Sequence, residues 1–413
     1  MKIKKISILG LGYIGLPLAI ILADKSNKIY GFDNNPKVLK NIKNLKIKIK
    51  EKDLTTKFKS KKVQKNFEVS NQVIKSDVYI IAVPTPFNKE KLIPNISAVK
   101  SSVDKIIHLL DPGNLIIIES TCPVGTTENI KRIIYDKRKD LKKDTIHISY
   151  CPERILPGNT LEELIYNDRI IGGINSNSSK HASKIYKMFV KGNIHITDSK
   201  TAEMSKLAEN TYRDVNIAYA NELSMISKKY GINIWELIQL TNLHPRVNIL
   251  NPGPGVGGHC IAVDPWFLVS QNKKLAKIML SAREVNDYKM KWVIEEIKKK
   301  IKKISFKNKK KLLTLGFLGI TYKPDSNDLR ESSSLKIVKH FSKNKKIKVI
   351  VCEPNLNENE LKFAKLKKSN IGETLKMSDL LIILVNHKQF KKSNFKSLPE
   401  DKFLDISGLL SKK

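Results

Sequence analysis

The sequence predicts an α/β protein with two doubly wound sheets joined by a helical region that contains a long helix. Short apolar runs alternate with helical patterns up to about residue 195, helical patterns fill about 196–300, and the alternation returns afterwards. Strands separated by helices favour parallel sheets with helices on both faces. Because 413 residues also suffice for two to three domains, we expect domains at 1–195, 196–300 and 301–413.

The expected elements follow from apolar runs and their spacing. In the first domain the strands are Lys5–Leu9, Lys28–Phe32, Val78–Val83, Leu115–Glu119 and Ile146–Tyr150. In the last domain they are Leu312–Leu318, Ile347–Cys352, Leu380–Val385 and Lys402–Ile406, with a helix over Ser333–Phe341. Between them, Thr201–Lys229 has helical spacing without Gly or Pro, which suits a domain connector or a dimer interface. A second helix is expected over about 275–301, and the lysine-dense segment 298–311 marks the next boundary.

The net charge of +36 comes from 76 Lys and Arg against 40 Asp and Glu, and only eight of the basic residues are arginines. The lysines are spread along the chain, which indicates a solvated surface rather than a nucleic-acid site, where bidentate arginines are usual. Nucleic-acid binding remains an alternative, because so large a positive field attracts phosphate.

Four cysteines without any C-x-x-C pair indicate neither a disulfide framework nor a metal site, so we expect a reduced, cytoplasmic protein. Met1–Lys5 is basic and Ile6–Ala23 is apolar, as in a signal peptide. Three glycines and Pro17 interrupt that run, and no other stretch approaches the 20 apolar residues of a membrane span. We therefore expect neither a signal peptide nor a membrane segment.

The first strand is followed by a G-x-G-x-x-G turn that opens an apolar helix, and Asp33 ends the next strand. Glycines let the backbone approach a pyrophosphate at the helix N-terminus, and Asp33 would accept hydrogen bonds from ribose hydroxyls while repelling a 2′-phosphate. NAD is therefore expected rather than NADP, and the alternative is a tight turn without a ligand. The expected contacts in the turn are Gly10, Gly12, Tyr13, Ile14 and Gly15.

Two further strand ends carry threonines, Thr85 after one buried run and Thr121 and Thr126 after the next. Ligands of doubly wound sheets bind beyond the carboxyl ends of the strands. These three residues are therefore candidate cofactor contacts, although each could instead be an ordinary helix N-cap.

Cys260 ends a glycine-rich stretch and precedes a run that could be helical, with Asp264 four residues later. A thiol near a helix N-terminus and near cations becomes a nucleophile. Inert packing suits Cys122, Cys151 and Cys352 better.

On the long helix, Lys206, Asn210 and Arg213 lie at i, i+4 and i+7 and share one side. Lys and Asn side chains can stabilise an oxyanion, although a solvated polar face is the alternative. Glu153, just past a strand end, could orient water. Four of the eight arginines fall in motif segments, namely Arg154, Arg213, Arg246 and Arg330.

Together these segments resemble the UDP-glucose/GDP-mannose 6-dehydrogenase family over essentially the whole chain. The similar segments are GLGYIGLP (10–17), VPTP (83–86), STCPVG (120–125), CPERILPG (151–158), the helix with Lys206 and Asn210, GVGGHCIAVDP (255–265) and YKPDSNDLRES (322–332). The resemblance implies two Rossmann-like domains, NAD as cofactor, and removal of two hydrides from C6 of a nucleotide sugar. Cys260 would hold the intermediate as a thiohemiacetal and then a thioester.

The same resemblance implies roles for single residues. Lys206 would act as base or oxyanion donor beside Asn210, Asp264 would assist proton transfer, and Glu153 with Thr121 would aid hydrolysis. The substrate would be lined by Arg154, Ile155, Lys206, Asn210, Arg213, His244, Arg246, Gly257, Tyr322, Lys323 and Arg330. Family members pair through the central helix, so a homodimer or larger homo-oligomer is expected, with His244 and Arg246 reaching into the partner's site.

The segment GGHCIAVDPWF (257–267) differs from the GGSCFPKD-like motif of enzymes for neutral glucose and looks like the branch that oxidises UDP-N-acetylamino sugars. This difference puts in doubt any role for a lysine just after the cysteine. His244–Asn248 and Arg213–Asn216 look most like the enzymes for UDP-N-acetyl-D-mannosamine. UDP-N-acetyl-D-glucosamine is the alternative substrate, and a non-catalytic nucleotide- or nucleic-acid-binding protein is a remote alternative.

Overall fold

A mostly parallel sheet, a second, fully parallel sheet and two long helices organise the chain, which confirms the expected fold class. The computed structural model describes residues 3–25, 28–47, 49, 52–88, 93–155, 158–308, 312–363, 366–393, 395 and 399–410. Residues 156–157 of the CPERILPG segment and residues 309–311 of the lysine-dense segment lie outside these ranges. The chain divides into two compact units, residues 1–209 with 266–270, and residues 210–265 with 271–413.

The first unit contains an eight-stranded sheet and a small hairpin. Its strands are β1 (Lys5–Leu9), β2 (Lys28–Phe32), β3 (Phe67–Ser70), β4 (Val78–Ile81), β5 (Phe87–Asn88), β6 (Ile93–Pro94), β7 (Leu115–Ile118), β8 (His147–Tyr150), β9 (Arg169–Gly173) and β10 (Ile194–Asp198). The sheet order is β10-β9-β8-β7-β4-β1-β2-β3, and β5 pairs with β6. All five strands expected from the sequence are present within one or two residues of their expected ends.

The structure differs from the expected parallel sheet at one edge. Strand β9 pairs antiparallel with β8, and β10 then runs parallel to β9. Neither strand was expected, and β3 was not expected either. Direction is set by pairing with distant residues rather than by the local apolar pattern, so the sequence carried no signal for the reversal.

Helices cover both faces of this sheet. They are α1 (Gly15–Asp24), α2 (Pro36–Lys43), α3 (Lys52–Phe58), α4 (Lys61–Asn66), α5 (Ser97–Ile106), α6 (Thr126–Lys137), α7 (Thr160–Tyr166) and α8 (Ser176–Tyr186), with a 3-10 turn at Ile107–Leu109. Along β7, Leu115 and Ile117 join one hydrophobic core, whereas Ile116 and Ile118 join another. Because successive side chains of a strand point to opposite faces, the sheet is buried on both sides.

The long helix α9 (Ser199–Lys229) begins in the first unit and ends in the second, since the division falls after Glu209. The remaining helices are α10 (Ile234–Thr241), α11 (Pro265–Gln271), α12 (Lys277–Asn308), α13 (Ser333–Ser342), α14 (Glu358–Phe363) and α15 (Ile371–Met377), with 3-10 turns at Lys388–Lys392 and Glu400–Lys402. Helix α12 is longer than expected and includes most of the lysine-dense segment. Its continuation is explained by Val293, Ile297 and Ile304, which recur at helical spacing and are buried.

The second unit contains a four-stranded parallel sheet of β11 (Leu313–Leu318), β12 (Ile347–Cys352), β13 (Leu380–Ile383) and β14 (Phe403–Asp405) in the order β12-β11-β13-β14. The four strands and the helix expected here are all present, with ends that differ by at most two residues. Across the described ranges, no helix is long and apolar enough to cross a lipid bilayer.

Candidate active site

The turn after β1 contains three glycines, and a different physical reason explains why each of them is glycine. Gly10 has φ +95°, and a Cβ there would collide with the carbonyl oxygen of Ala82. A Cβ on Gly15 would collide with the carbonyl oxygen of Gly10, so Gly15 allows α1 to begin close to β1. No atom lies within 4 Å of a Cβ built on Gly12, so protein packing does not require glycine there. A pyrophosphate that approaches the backbone would require it.

The start of α1 fits the same ligand. Its N-cap, Ile14, makes no side-chain capping hydrogen bond, so no capping side chain stands where an anion would meet the helix N-terminus. Tyr13 is exposed beside this turn. At the end of β2, Asp33 Oδ2 accepts the amide of Leu11 at 2.9 Å and Oδ1 accepts that of Asn35 at 2.8 Å. These bonds hold a half-buried carboxylate beside the glycine turn, where a ribose would lie.

A serine that the sequence analysis did not single out joins the next two strand ends. Ser120 Oγ lies 2.9 Å from the amide of Val83 and 2.8 Å from its carbonyl oxygen. Thr85 and Thr121 are half-buried in the two loops that Ser120 connects. Thr126 is buried, and its hydroxyl donates to the carbonyl oxygen of Pro123 at 2.6 Å. The N-cap of α6 is Gly125, and Thr126 is the first residue of that helix, so the alternative of an N-cap does not hold for Thr126.

Glu203 of α9 caps helix α6, a role that no local sequence signal indicated. Its carboxylate accepts the amides of Gly125 and Thr127 at 2.6 and 2.8 Å and the Thr127 hydroxyl at 2.7 Å. Burial raises the pKa of Glu203 above its ordinary value, against the opposing effect of these hydrogen bonds. The capped loop carries Thr121 and Thr126, so Glu203 positions two of the candidate cofactor contacts.

Glu153, Arg154 and Lys206 come together in the first unit. Lys206 Nζ donates to the carbonyl oxygen of Glu153, and Arg154 Nε forms an ion pair with Glu209 at 2.9 Å. The side chain of Glu153 is buried and accepts the amide of Arg154 at 2.6 Å. Ile155 packs against the hydrophobic core of this unit.

Behind Glu153 lies a buried ionic cluster that the sequence analysis missed. Arg169 Nη1 lies 3.2 Å from Glu153 Oε2, and Tyr186 donates to Glu119 at 2.5 Å. Burial, with the charge of Glu153, raises the pKa of Glu119 to about 7 against the opposing charge of Arg169. Because β9 runs antiparallel to β8, its first residue, Arg169, lies at the edge where β8 ends. The reversed strand therefore delivers the counter-ion of Glu153.

In the second unit, Cys260 differs from the other three cysteines. Cys122, Cys151 and Cys352 are buried, and burial raises the pKa of Cys151 to about 12 and that of Cys352 to about 11. Cys260 is half-buried and precedes α11 by five residues. Its carbonyl oxygen accepts the amides of Val263 and Asp264 at 2.9 and 2.8 Å. The thiol thus lies on a tight turn rather than in a core.

Asn210 and Asp264 form a direct pair, with Asn210 Nδ2 donating to Asp264 Oδ2 at 2.6 Å. Both side chains are buried. An amide fixed in this way presents a defined hydrogen-bonding edge, which an oxyanion-stabilising group needs.

The loop between β11 and α13 lies against the glycine segment before Cys260. A Cβ on Gly257 would come within 2.7 Å of Tyr322 Cβ, and Gly258 donates its amide to the carbonyl oxygen of Arg330 at 3.0 Å. Burial, with the charges of Asp328 and Cys260, raises the pKa of Tyr322 to about 12. Arg330 forms an ion pair with Asp328 at 2.6 Å, and Lys323 Nζ lies 5.8 Å from the Tyr322 ring centroid.

His244 and Arg246 lie on an exposed turn after α10, where the amide of Arg246 contacts His244 Nδ1 at 3.3 Å. Arg213 is exposed on α9 and contributes to the electrostatic environment of Tyr322. Within the second unit, therefore, Tyr322 interacts by contact or by charge with the other candidate residues, namely Gly257, Cys260, Arg213 and Arg330.

Comparison with known proteins identifies the family of the chain. Three domain models of the UDP-glucose/GDP-mannose dehydrogenase family match, the NAD binding domain at residues 4–190, the central domain at 200–288 and the UDP binding domain at 316–411. UDP-N-acetyl-D-mannosamine dehydrogenase of Escherichia coli (strain K12) is 42% identical over 419 residues, covering 99% of this chain and 100% of that protein. The protein of the same name from Methanococcus vannielii is 44% identical over 404 residues, and the alignment covers 97% of this chain and 90% of that protein.

Solved structures agree. UDP-D-ManNAc dehydrogenase from Pyrococcus horikoshii superposes with a TM-score of 0.87 at 33% identity, covering 99% of this chain and 96% of that one. UDP-N-acetyl-mannosamine dehydrogenase from Staphylococcus aureus gives a TM-score of 0.85 at 36% identity, with the same coverage. With relatives above 40% identity across almost its whole length, the chain belongs to the UDP-glucose/GDP-mannose dehydrogenase family and is an NAD-dependent oxidoreductase.

Proposed function

We propose that this enzyme oxidises C6 of UDP-N-acetyl-D-mannosamine to the carboxylate and uses two NAD per sugar. The observation that carries the proposal is Cys260, which is the one cysteine of the four outside a buried core and lies on a turn whose Asp264 is paired with Asn210. Relatives named for this sugar support the substrate. The product is suited to surface-polysaccharide synthesis, and we propose a cytoplasmic location.

The first oxidation converts the C6 alcohol to an aldehyde. When bound, NAD accepts the hydride from C6, and a second NAD does so again in the later oxidation. Lys206, held by the carbonyl oxygen of Glu153, acts as the base for the alcohol proton or as a donor to the oxygen that develops charge. Asn210 donates to the same oxygen, and Asp264 holds its amide in place.

Cys260 retains the aldehyde between the two oxidations. Its sulfur adds to C6 while the thiol proton passes to the C6 oxygen, which gives a thiohemiacetal. Loss of the C6 hydride together with the hydroxyl proton then leaves a thioester. Water then attacks C6, one of its protons passes to Glu153, and the C6–S bond breaks to release the thiolate. The carboxylic acid that forms loses its remaining proton to solvent and leaves as the carboxylate. The ion pair with Arg169 keeps Glu153 oriented for this step, with Thr121 aiding the water.

We propose that the three domains with boundaries near 195 and 300 divide the work. The first holds NAD through Gly10, Gly12, Tyr13, Ile14, Gly15, Asp33, Thr85, Thr121 and Thr126. The other two contribute Arg213, His244, Arg246, Gly257, Tyr322, Lys323 and Arg330 as contacts of the UDP-sugar, and the first domain adds Arg154 and Ile155. The cationic members neutralise the diphosphate, and Tyr322 supports the glycine turn before Cys260.

We also propose a homodimer through α9. One side of this helix exposes Tyr212 (70%), Tyr219 (55%) and Ile226 (49%), which are seven residues apart, and Tyr230 (69%) continues the row. A row of large apolar side chains at that spacing matches the seam of a helix pair. A second copy of the chain presents the same row, so a two-fold axis would bury both.

The proposed chemistry predicts that Cys260→Ser stops uronate formation while NAD binding persists. Wild type should release two NADH per sugar, and the variant should release at most one. NADH absorbance with mass spectrometry of the nucleotide sugar measures both. Uronate formation by Cys260→Ser at the wild-type rate would contradict the role of the thiol.

The substrate assignment is tested separately with UDP-N-acetylmannosamine, UDP-N-acetylglucosamine and UDP-N-acetylgalactosamine. The last is included because proteins named NDP-N-acetyl-D-galactosaminuronic acid dehydrogenase, such as that of Ralstonia solanacearum, are 39% identical over 99% of this chain. We expect the highest kcat/KM for the mannosamine isomer. A higher value for either of the others would reassign the substrate and leave the reaction class intact.

A further inference from the structure

Four polar side chains are buried between helices α9 and α12. Asp214 and Asn221 lie on α9, Arg283 and Asn286 lie on α12, and each is at most 2% exposed. Burying a polar group costs free energy unless it is hydrogen-bonded, and apolar residues would pack two helices without that cost. A row of polar groups here therefore requires a reason beyond helix packing.

The four groups form one continuous chain of hydrogen bonds. Arg283 Nη1 donates to Asp214 Oδ1 at 2.7 Å, and Asn286 Nδ2 donates to the same oxygen at 2.8 Å. Asn221 Nδ2 in turn donates to Asn286 Oδ1 at 2.9 Å. The backbone amide of Gly253 donates to Asn221 Oδ1, also at 2.9 Å.

The chemistry of the two ends sets the direction of both amides. Asp214 at one end only accepts when ionised, so Asn286 must turn its NH₂ group towards it. Gly253 at the other end only donates, so Asn221 must turn its oxygen towards it. Turning either amide round would place two donors or two acceptors against each other. These hydrogen bonds therefore fix the position of the Gly253 backbone relative to helices α9 and α12.

The segment held in this way, residues 253–260, ends at the nucleophile Cys260. Gly253 lies seven positions before Cys260 in the sequence. A Cβ on Gly255, whose φ is +135°, would come within 2.7 Å of Ser333 Oγ and 3.3 Å of the Asn286 carbonyl oxygen. Helix α9 also holds the far side of Cys260, through Asn210 and Asp264. Asn210 and Asn221 are eleven residues apart, about 16 Å along one rigid helix.

We propose that Asn221 and Asn286 are positioning residues for Cys260, and that α9 holds both ends of the nucleophile segment, Gly253 through Asn221 and Asp264 through Asn210. The inference rests on the proposed function, because it matters most while a half-oxidised sugar must stay close to the sulfur. Misplacing that sulfur lets the aldehyde leave before the second oxidation. The row of hydrogen bonds therefore helps to retain the intermediate and is not needed for NAD binding.

Asn221→Leu tests this with nearly unchanged volume. We expect uronate formation to fall about a hundredfold, as displacements near 1 Å do at reacting atoms, with little change in the KM for NAD. The NADH released per sugar should fall from two towards one, and semicarbazide should trap the escaping aldehyde. Without substrate, the rate at which iodoacetamide alkylates Cys260, followed by mass spectrometry, should change at least fivefold. Asn221→Ser is the second variant if the leucine variant does not fold.

Val293→Ala is the matched control, since Val293 is fully buried on the same helix α12 but packs in the core of the second sheet. It should lower the melting temperature while leaving two NADH per sugar and normal alkylation of Cys260. An unchanged alkylation rate in a folded Asn221 variant would overturn the inference. One NADH per sugar from wild type would instead overturn the proposed function, so the two failures are distinguishable.

Discussion

The two sheets of this chain begin with the same turn but differ in the residues that come after it. After β1, Gly10 has φ +95° and donates its amide to the carbonyl oxygen of Phe32 at 2.8 Å. After β11, Gly319 has φ +81° and donates to the carbonyl oxygen of Cys352 at 3.0 Å. In each case the glycine amide bonds the last residue of the neighbouring strand. Both sheets therefore contain the starting turn of a mononucleotide-binding unit.

The acidic residue after the second strand is also repeated. Asp33 accepts the amide of Leu11 at 2.9 Å, and Glu353 accepts that of Ile320 at 2.8 Å, each directly after the glycine. Asp33 is only half-buried, whereas Glu353 is fully buried and lies 3.1 Å from His387 Nε2. The carboxylate that can meet a ribose in the first sheet is covered by a histidine in the second.

The connection to the next helix differs as well. In the first sheet five residues lead from Gly10 to Gly15, where α1 begins, and Gly12 has open space above it. In the second sheet fourteen residues lead from Gly319 to Ser333, where α13 begins, and this loop carries Tyr322 and Arg330. The comparison teaches that the turn alone does not make a dinucleotide site, which also requires an uncovered acid and an immediate helix.

The largest effect that tests this comparison is expected from Gly12→Val. Because nothing lies within 4 Å of a Cβ at this position, folding should be unaffected. The side chain would occupy the path of the pyrophosphate, so NAD affinity should fall roughly a thousandfold, about 4 kcal/mol. Isothermal titration with NAD measures it.

Gly319→Ala is the counterpart in the second sheet. A Cβ there meets Val385 Cβ at 2.5 Å in a left-handed backbone, so the variant should lose stability without weakening NAD binding in the folded fraction. If Gly12→Val bound NAD normally, the open space above Gly12 would not be the cofactor site.

The starting turns and the residues that flank them could be predicted from the sequence because their signals are local. Strands β1, β2 and β12 have their expected ends, and Gly10, Asp33 and Cys260 were identified from spacing and residue type. Glu203, Arg169 and Asn221 could not be identified in this way. Their partners Gly125, Glu153 and Gly253 lie 78, 16 and 32 residues away, and a contact between distant residues leaves no periodic pattern in one sequence.

His387→Ala is expected to have the next largest effect. It removes the side chain that covers Glu353 and accepts the amide of Asp325 at 2.9 Å. A hydrogen bond to a charged group contributes about 1.5–3 kcal/mol, and the amide of Asp325 also loses its acceptor. The amides of Ile320 and Asn355 remain on Glu353, so we expect a loss of about 3 kcal/mol. Urea unfolding at pH 7 measures it.

His387→Gln provides the matched variant, because its amide can still donate to Glu353. We expect it to recover at least half of the lost stability. The KM for the UDP-sugar should rise in His387→Ala, since the Asp325 amide belongs to the same loop as Tyr322 and Lys323. Wild-type stability in His387→Ala would mean that the buried Glu353 does not depend on His387. The proposed difference between Asp33, which is open to a ligand, and Glu353, which is covered, would then lose its physical basis.

The smallest expected effect concerns the carboxyl edge of the first sheet, where Glu119 is buried beside Tyr186. Burial raises the pKa of Glu119 from 4.5 to about 7 in the folded protein, so the folded state binds this proton more tightly than the unfolded state. Its stabilising effect is complete below about pH 4.5 and is lost as the pH rises through 7. At about 1.4 kcal/mol per pKa unit, and allowing for the coupling with Glu153, the loss between pH 5 and 8 should be on the order of 2 kcal/mol.

Glu119→Gln should remove that loss, because the amide stays neutral at every pH. The variant should therefore gain stability over wild type at pH 8 and show little difference at pH 5, in urea unfolding at both values. Tyr186→Phe sharpens the test, since the Tyr186 hydroxyl lowers the pKa of Glu119 and its removal should move the midpoint of the loss to higher pH. If the unfolding free energies of wild type and Glu119→Gln depended on pH in the same way, the proton would reside on another group of the cluster. Glu119 would then be ionised, and Arg169 would balance its charge as well as that of Glu153.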